Sequence, residues 1–260
     1  MIALPLVVLA LFLIDVGGWV FAVGMVAVAA VCLNELYAMT ARARPLIPVG
    51  MLVTAALILA ARSDTPFFHM GLVAVSAFPL MFAFAVARDS RRNVTFAMAT
   101  TVFGVIWIGV PLAHAVLLRD LGAHGGALVV DVLVGVVVAD TAAYFGGRAF
   151  GQRRIAPAIS PGKTMEGLIA GLVGGAAGIW FAGLYQDWLT GGEALVLGLA
   201  VALAAPIGDF FESMVKRDLG VKDSSTLLGA HGGLLDRLDA VLFAVVVGYY
   251  VAVAFGGFVT

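Results

Sequence analysis

The chain has 260 residues, 62% of them hydrophobic and only 12% charged, and its mean hydropathy is +1.08. That balance excludes a water-soluble globule with a polar surface and defines an integral membrane protein. The formal net charge of −1 says little as a sum, because what matters in a membrane protein is the side each charge occupies; no nucleic-acid partner is expected. The single cysteine, Cys32, lies inside an apolar run, which rules out an intramolecular disulfide and argues against a thiolate metal cluster within one chain. It reads as packing.

In chain order, runs long enough to cross about 30 Å of hydrocarbon at 1.5 Å per residue lie near 17–39, 67–87, 95–118, 126–147, 165–188, 193–215 and 238–258. Two shorter runs, near 2–14 and 47–61, are marginal. The first has no Lys or Arg before Arg42 and no evident small-residue cleavage site, so it reads as mature structure rather than a signal peptide. Asp15-Val16-Gly17-Gly18 is expected to turn the chain tightly into the second run. The expectation is an all-α polytopic membrane protein with about nine transmembrane helices.

The basic residues are distributed asymmetrically. Arg42 and Arg44, then Arg88, Arg91 and Arg92, then Arg148, Arg153, Arg154 and Lys163, then Lys216, Arg217, Lys222 and Arg237 fall in alternate loops, leaving Arg62 and Arg119 on the other side. By the positive-inside rule the basic loops face the cytoplasm, with the N-terminus inside and the C-terminus outside under nine spans; a cell (inner) membrane is the expected location. The two longest polar loops, 148–164 and 216–237, are both cytoplasmic on this reading. Residues 1–130 read as scaffold spans and 131–260 as a catalytic membrane region, within one integral membrane domain.

Carboxylates accompany these loops. Asp140 precedes Arg148 by eight residues and Asp209 precedes Lys216 by seven, so both lie roughly 10–12 Å inside their helix ends. Asp236 and Asp239 open the last span from the same side. A carboxylate at mid-bilayer costs roughly 2.5–3.5 kcal/mol, so three helices bringing one to a common depth indicate a shared cavity; separate Asp–Arg pairs stapling helices are the plainer alternative. Asp209, Glu212, Ser213 and Lys216 share one helical face. Sparse hard oxygen ligands suit Mg²⁺, while the lack of Cys pairs and of a His cluster argues against zinc. The following loop adds Lys216, Arg217, Lys222 and Arg237 as cations, the hydroxyls of Ser224-Ser225-Thr226, and His231-Gly232-Gly233 before a helix start that favours anions. Glu35, seven residues before Arg42, lies at cavity depth as well.

The stretch Ser213-x-x-Lys-Arg-x4-Lys-Asp-x-Ser-x2-Leu-Gly-x-His-Gly-Gly-x-x-Asp-Arg-x-Asp239 resembles the signature of the phosphatidate cytidylyltransferases, or CDP-diacylglycerol synthases. Asp140-Thr-x-Ala-Tyr-Phe-Gly-Gly-Arg148, Phe150-Gly and Ser160-Pro-Gly-Lys-Thr-x-Glu-Gly167 are similar to the family's other cytoplasmic motif. The likeness covers the chain from about 135 onward; earlier residues match only as apolar spans. Gly229-Ala230 stands where the family usually has Pro-Gly, and Ala240 where Ser is common. Pro-Gly-Lys-Thr is not a Walker loop, because Pro157 replaces its first glycine.

The resemblance implies the reaction of CTP with phosphatidate to give CDP-diacylglycerol and pyrophosphate. It implies Mg²⁺ on Asp209, Asp236 and Asp239, with K⁺ associated with the same centre. Lys216, Arg217, Asp223, His231 and Arg237 become the catalytic candidates, His231 as an acid–base group or, the favoured role, a hydrogen-bond donor to phosphate; Asp140, Ser160, Lys163, Thr164, Ser213 and Lys222 become the substrate-binding ones. The resemblance also inclines toward a homodimer, although the small face Gly167, Gly171, Gly174, Gly175 and Gly178 serves internal packing as readily. His69, His114 and His124 lie outside any matching motif and read as interfacial or packed. Pro79 and Pro111 are expected to kink their helices. Another CTP-dependent lipid enzyme is the nearer rival, and a cation-coupled transporter the more distant one, since no internal repeat is visible. The Asp-x2-Asp-Gly-x2-Ala-Arg pattern of CDP-alcohol phosphotransferases is absent.

Overall fold

A computed structural model describes residues 3–88, 93–229 and 232–256. Among the described residues the fold is helical apart from one small hairpin, and seven helices are long and apolar enough to cross a membrane. They match the seven long apolar runs closely, because uninterrupted hydrophobic length is itself what a bilayer demands of a helix. The two marginal runs form 14-residue helices, α1 (Ala3–Val16) and α3 (Ile47–Ala60). At 1.5 Å per residue each is about 21 Å long, short of the hydrocarbon thickness.

The chain divides into two compact units. The first comprises the residues up to Asp120 together with Asp223–Asp236. It contains α1, α2 (Gly18–Met39), α3, α4 (Pro66–Ala87), α5 (Val94–Gly104) and α6 (Val110–Arg119). Its core is mainly apolar, with Leu33, Leu36, Tyr37, Ile58, Ile108 and Leu118 fully buried and Cys32 packed among them, and it also encloses Glu35, Thr54, Thr101 and His114. The expected turn between α1 and α2 is present: Gly17 and Gly18 both take positive φ, and Arg119 donates to the last carbonyls of α1, Ile14 O at 2.5 Å and Asp15 O at 3.1 Å. Those carbonyls have no partner within their own helix. Helices α5 and α6 form one continuous rod through a π-turn at Val105–Gly109, just before Pro111, whose missing N–H already disrupts the ladder there. Pro79 lies inside α4. His114 is buried and bonds Val110 O at 2.8 Å, while His69 bonds Ser63 at 2.8 Å.

The second unit comprises Leu121–Lys222 and Arg237–Thr260. It holds α7 (Gly125–Phe150), a β-hairpin, α8 (Met165–Gly183), α9 (Gly191–Asp218) and most of α10 (Leu235–Ala254). The glycine face of α8 is spent inside this unit. A Cβ on Gly171 would lie 3.0 Å from Ala139 O and from Ala143 Cβ, and one on Gly175 would lie 2.8 Å from Ala202 Cβ. The small residues therefore let α8 approach α7 and α9 closely. His124 stacks on Trp188 with ring centroids 4.6 Å apart. Large apolar side chains on the outside of both units, among them Val75, Phe82, Phe150 and Tyr185, remain exposed, as expected where the solvent is lipid.

Candidate active site

The hairpin makes the second unit's site. The segment 148–164, expected as a loop, pairs β1 (Arg154–Ala156) with β2 (Ser160–Thr164) in antiparallel register. Its end is fixed by the helix that follows: Thr164 caps α8, accepting from Gly167 N at 3.1 Å. Glu166 in the first turn of α8 reaches back to accept from Gln152 N at 3.0 Å and Arg153 N at 3.2 Å. Arg217 donates to Ile159 O at 3.3 Å, tying the hairpin tip to the end of α9.

This scaffold presents Lys163 to a group of carboxylates. Lys163 forms an ion pair with Asp209 of α9, and its ammonium lies 4.5 Å from the ring centroid of Phe210. Asp140 of α7 lies within electrostatic reach of both Asp209 and Lys163, and Asp239 of α10 within reach of Asp209, Lys216 and Lys163. Close approach of α9 and α10 makes this possible, for a Cβ on Gly208 would lie 3.0 Å from the carbonyl carbon of Asp239. On the shared face of α9, Ser213 donates to Asp209 at 3.3 Å, and Lys216 pairs with the fully buried Glu212 at 2.6 Å. The expected i, i+3, i+4, i+7 face is thus real, and it contains its own ion pair. Thr190 and Glu193 form a capping box that starts α9.

In the first unit the loop 223–236 is organised by two other carboxylates. Asp236 accepts from Ser224 N at 2.9 Å, Ser224 Oγ at 2.9 Å and Gly233 N at 2.7 Å. Glu35 of α2 accepts from the Ser225 hydroxyl and from the backbone N–H groups of Leu234 and Leu235, and shares the one hydroxyl proton of Ser224 with Asp236. Both glycines of the His-Gly-Gly motif have a mechanical reason. Gly232 has φ +76, and a Cβ there would lie 2.6 Å from Asp236 Oδ2; a Cβ on Gly233 would lie 2.6 Å from Glu35 Oε2. His231 lies outside the described residues. Arg217, Lys222, Asp223 and Arg237 are exposed, and Ser160 is half-buried at the start of β2.

Within the second unit the structure brings together Asp140, Lys163, Asp209, Ser213, Lys216 and Asp239, while Ser224 and Asp236 gather in the first. Glu35 was visible in the sequence as an acid at cavity depth, but its partners were not. Asp131 was missed: it is buried in α7 and bonded by Gln186 Nε2 at 3.0 Å, a lone acid whose partner is 55 residues away. The donor set suits Mg²⁺ in kind, being all carboxylate oxygen without cysteine or imidazole. Among the described residues no three such groups converge into a closed cage, and Mg²⁺ does not require one, since it commonly takes one or two carboxylates and completes its shell with water and phosphate oxygens.

Fold and site together define an integral membrane protein with a carboxylate–lysine centre beside basic polar segments. The chain belongs to the Cytidylyltransferase family, which it matches over residues 1–255. It is 43% identical over 127 residues to a phosphatidate cytidylyltransferase of Haemophilus influenzae, covering 47% of this chain and 44% of that protein. It is 36% identical over 165 residues to a phosphatidate cytidylyltransferase of Mycobacterium leprae, covering 64% and 53%. Similarity to phosphatidate cytidylyltransferase 4, chloroplastic, of Arabidopsis thaliana is 36% over 203 residues, covering 68% and 51%. The chain spans about half the length of these curated relatives.

Proposed function

We propose that this chain transfers the cytidylyl group of CTP to phosphatidate, forming CDP-diacylglycerol and pyrophosphate on the cytoplasmic face of an inner membrane. The observation that carries the reading is the gathering of Asp140, Asp209 and Asp239 about Lys163, on elements that belong to the family's motifs. The names of the relatives support the substrates, and the thirteen basic residues in alternate loops against two support the sidedness.

In this reading a phosphate oxygen of phosphatidate attacks the α-phosphorus of CTP. A new P–O–P bond forms as the bond to pyrophosphate breaks. Both reactants are anions, so the protein's task is to overcome repulsion and to stabilise charge moving onto the leaving group. Phosphatidate is ionised at neutral pH, and no protein nucleophile is needed. Asp209 and Asp236 would hold Mg²⁺ with Asp239 assisting; the bound ion supplies neutralisation of phosphate charge. Lys216, Arg217, Lys222 and Arg237 neutralise the phosphates, with His231 as a further donor and Asp223 beside Lys222. Asp140, Ser160, Lys163, Thr164 and Ser213 hold nucleotide or headgroup. K⁺ at the same centre and a homodimer complete the proposal; the dimer would use a surface other than the glycine face of α8, which is already packed.

Purified protein in detergent micelles, given CTP and phosphatidate, should release CDP-lipid and pyrophosphate with Mg²⁺ and not after chelation. Transfer of the γ-phosphate to lipid would instead identify a lipid kinase, and solute uptake without CTP turnover a transporter.

A further inference from the structure

We infer that Glu35 is a positioning residue that clasps both ends of the 224–235 segment and, through Ser224, sets the side chain of Asp236. The inference rests on the reaction proposed above for its catalytic consequence, and on geometry alone for the clasp.

Glu35 lies on α2, is 3% exposed, and among the described residues makes no ion pair. Its two oxygens divide four donors evenly. Oε1 accepts from Ser225 Oγ at 2.6 Å and Leu234 N at 3.0 Å, and Oε2 accepts from Leu235 N at 2.8 Å and shares with Asp236 the single hydroxyl proton of Ser224, whose Oγ is 3.1 Å away. The partners are 189 to 200 residues away in sequence. A buried carboxylate is costly unless fully bonded, and here every bond goes to one segment, at its first two residues and its last two. The segment is held at both ends by Glu35, and between them Leu228 N donates to Gly232 O at 2.9 Å. Leu234 and Leu235 stand where α10 begins, and the first amides of a helix have no carbonyl within it. Glu35 thus supplies from a distant helix the acceptor that a local capping side chain would otherwise provide.

Ser224 links this clasp to the proposed site. Its hydroxyl lies 3.1 Å from Glu35 Oε2 and 2.9 Å from Asp236 Oδ2, and its backbone N–H donates to the same Asp236 oxygen at 2.9 Å. Gly233 N adds a third donor to Asp236 at 2.7 Å. Freeing Ser224 and the 234–235 backbone would therefore release two sides of the frame that orients Asp236. Glutamine at position 35 keeps the shape, but its amide nitrogen cannot accept, so two of the four donors lose their acceptor.

The test combines amide hydrogen exchange with kinetics on the whole 260-residue chain in micelles, comparing wild type with Glu35→Gln and with the milder Ser225→Ala. Exchange should accelerate in peptides covering 223–236 and not in those covering α7 to α9. The kcat should fall roughly tenfold or more in Glu35→Gln, with the KM for CTP changed by less than about threefold, and Ser225→Ala should show a smaller effect of the same kind. Unchanged exchange in 223–236, or accelerated exchange with wild-type kcat, overturns the inference. If Glu35→Gln fails to fold, Ser225→Ala decides by the same two readouts. Inactive wild-type protein sinks the proposed reaction, and the exchange comparison then still decides whether Glu35 clasps the loop.

Discussion

The two carboxylate groups of this protein are solved by opposite chemistry. In the first unit Glu35 and Asp236 accept from hydroxyls and backbone amides, neutral donors that fix geometry and hold the loop. In the second, Asp209 pairs with Lys163, and Asp140 and Asp239 each lie within electrostatic reach of that pair, so the partners are charged groups. The first group holds its loop through neutral donors, and on the proposed reading each group lends a carboxylate to Mg²⁺, Asp236 from the first and Asp209 from the second.

The largest test of this contrast is activity. Asp209→Asn and Asp236→Asn should each lower kcat by roughly a hundred- to a thousandfold, measured as CDP-lipid formation at saturating CTP; near wild-type turnover in either would break the ligand assignment. Asp239→Asn should lose less and regain part of its rate as Mg²⁺ is raised. Next comes Lys163→Ala, which removes the partner of Asp209 and, on the proposed reading, would remove one charge-assisted phosphate contact. A loss of about ten- to hundredfold in kcat/KM for CTP is expected, measured at fixed lipid mole fraction.

Stability should separate the two groups by sign. Asp239→Asn removes a carboxylate that lies within repulsive reach of Asp209 and should raise stability by about 0.5–2 kcal/mol even as activity falls. Gly233→Ala should lower it by about 1–3 kcal/mol, because the new methyl has no room between Ser224 and Glu35. Midpoints of thermal unfolding in matched micelles decide, and a shift in the same direction for both variants would erase the distinction.

The smallest effect is expected away from both groups. Arg62 pairs with Asp120 at 2.8 Å, each side chain about a quarter exposed. Burial pushes the Asp120 carboxyl above its ordinary range, against the pull of Arg62 and Arg119. A raised carboxyl favours the fold at low pH and loses that contribution as pH rises through the folded value. Arg62→Ala raises it further, so its cost, below about 1 kcal/mol, should be present at neutral pH and vanish on acidification. Equal cost at both pH values would show that the pair contributes packing and not charge.

Much of this was legible in the sequence because the bilayer writes a simple rule. Seven apolar runs of sufficient length became seven long helices, and the Asp209–Lys216 spacing placed its side chains on one face. What escaped had no local mark. Arg154–Ala156 and Ser160–Thr164 are too short and polar for a period-2 pattern, so the hairpin read as loop. The two 14-residue helices are apolar like the others, and only their length departs from the rule. Lys163–Asp209 and Gln186–Asp131 join residues 46 and 55 positions apart, and no spacing rule reaches that far.

The clasp also sets a schedule for synthesis. Glu35 is made about 190 residues before Ser224 and Leu235, which at roughly 5–20 residues per second leaves it without those partners for about ten to forty seconds. During that interval α2 carries an acid with none of its four donors, one turn from its end at Met39. The first unit is therefore an early fold that closes late, and its last hydrogen bonds wait for the segment that introduces the final helix.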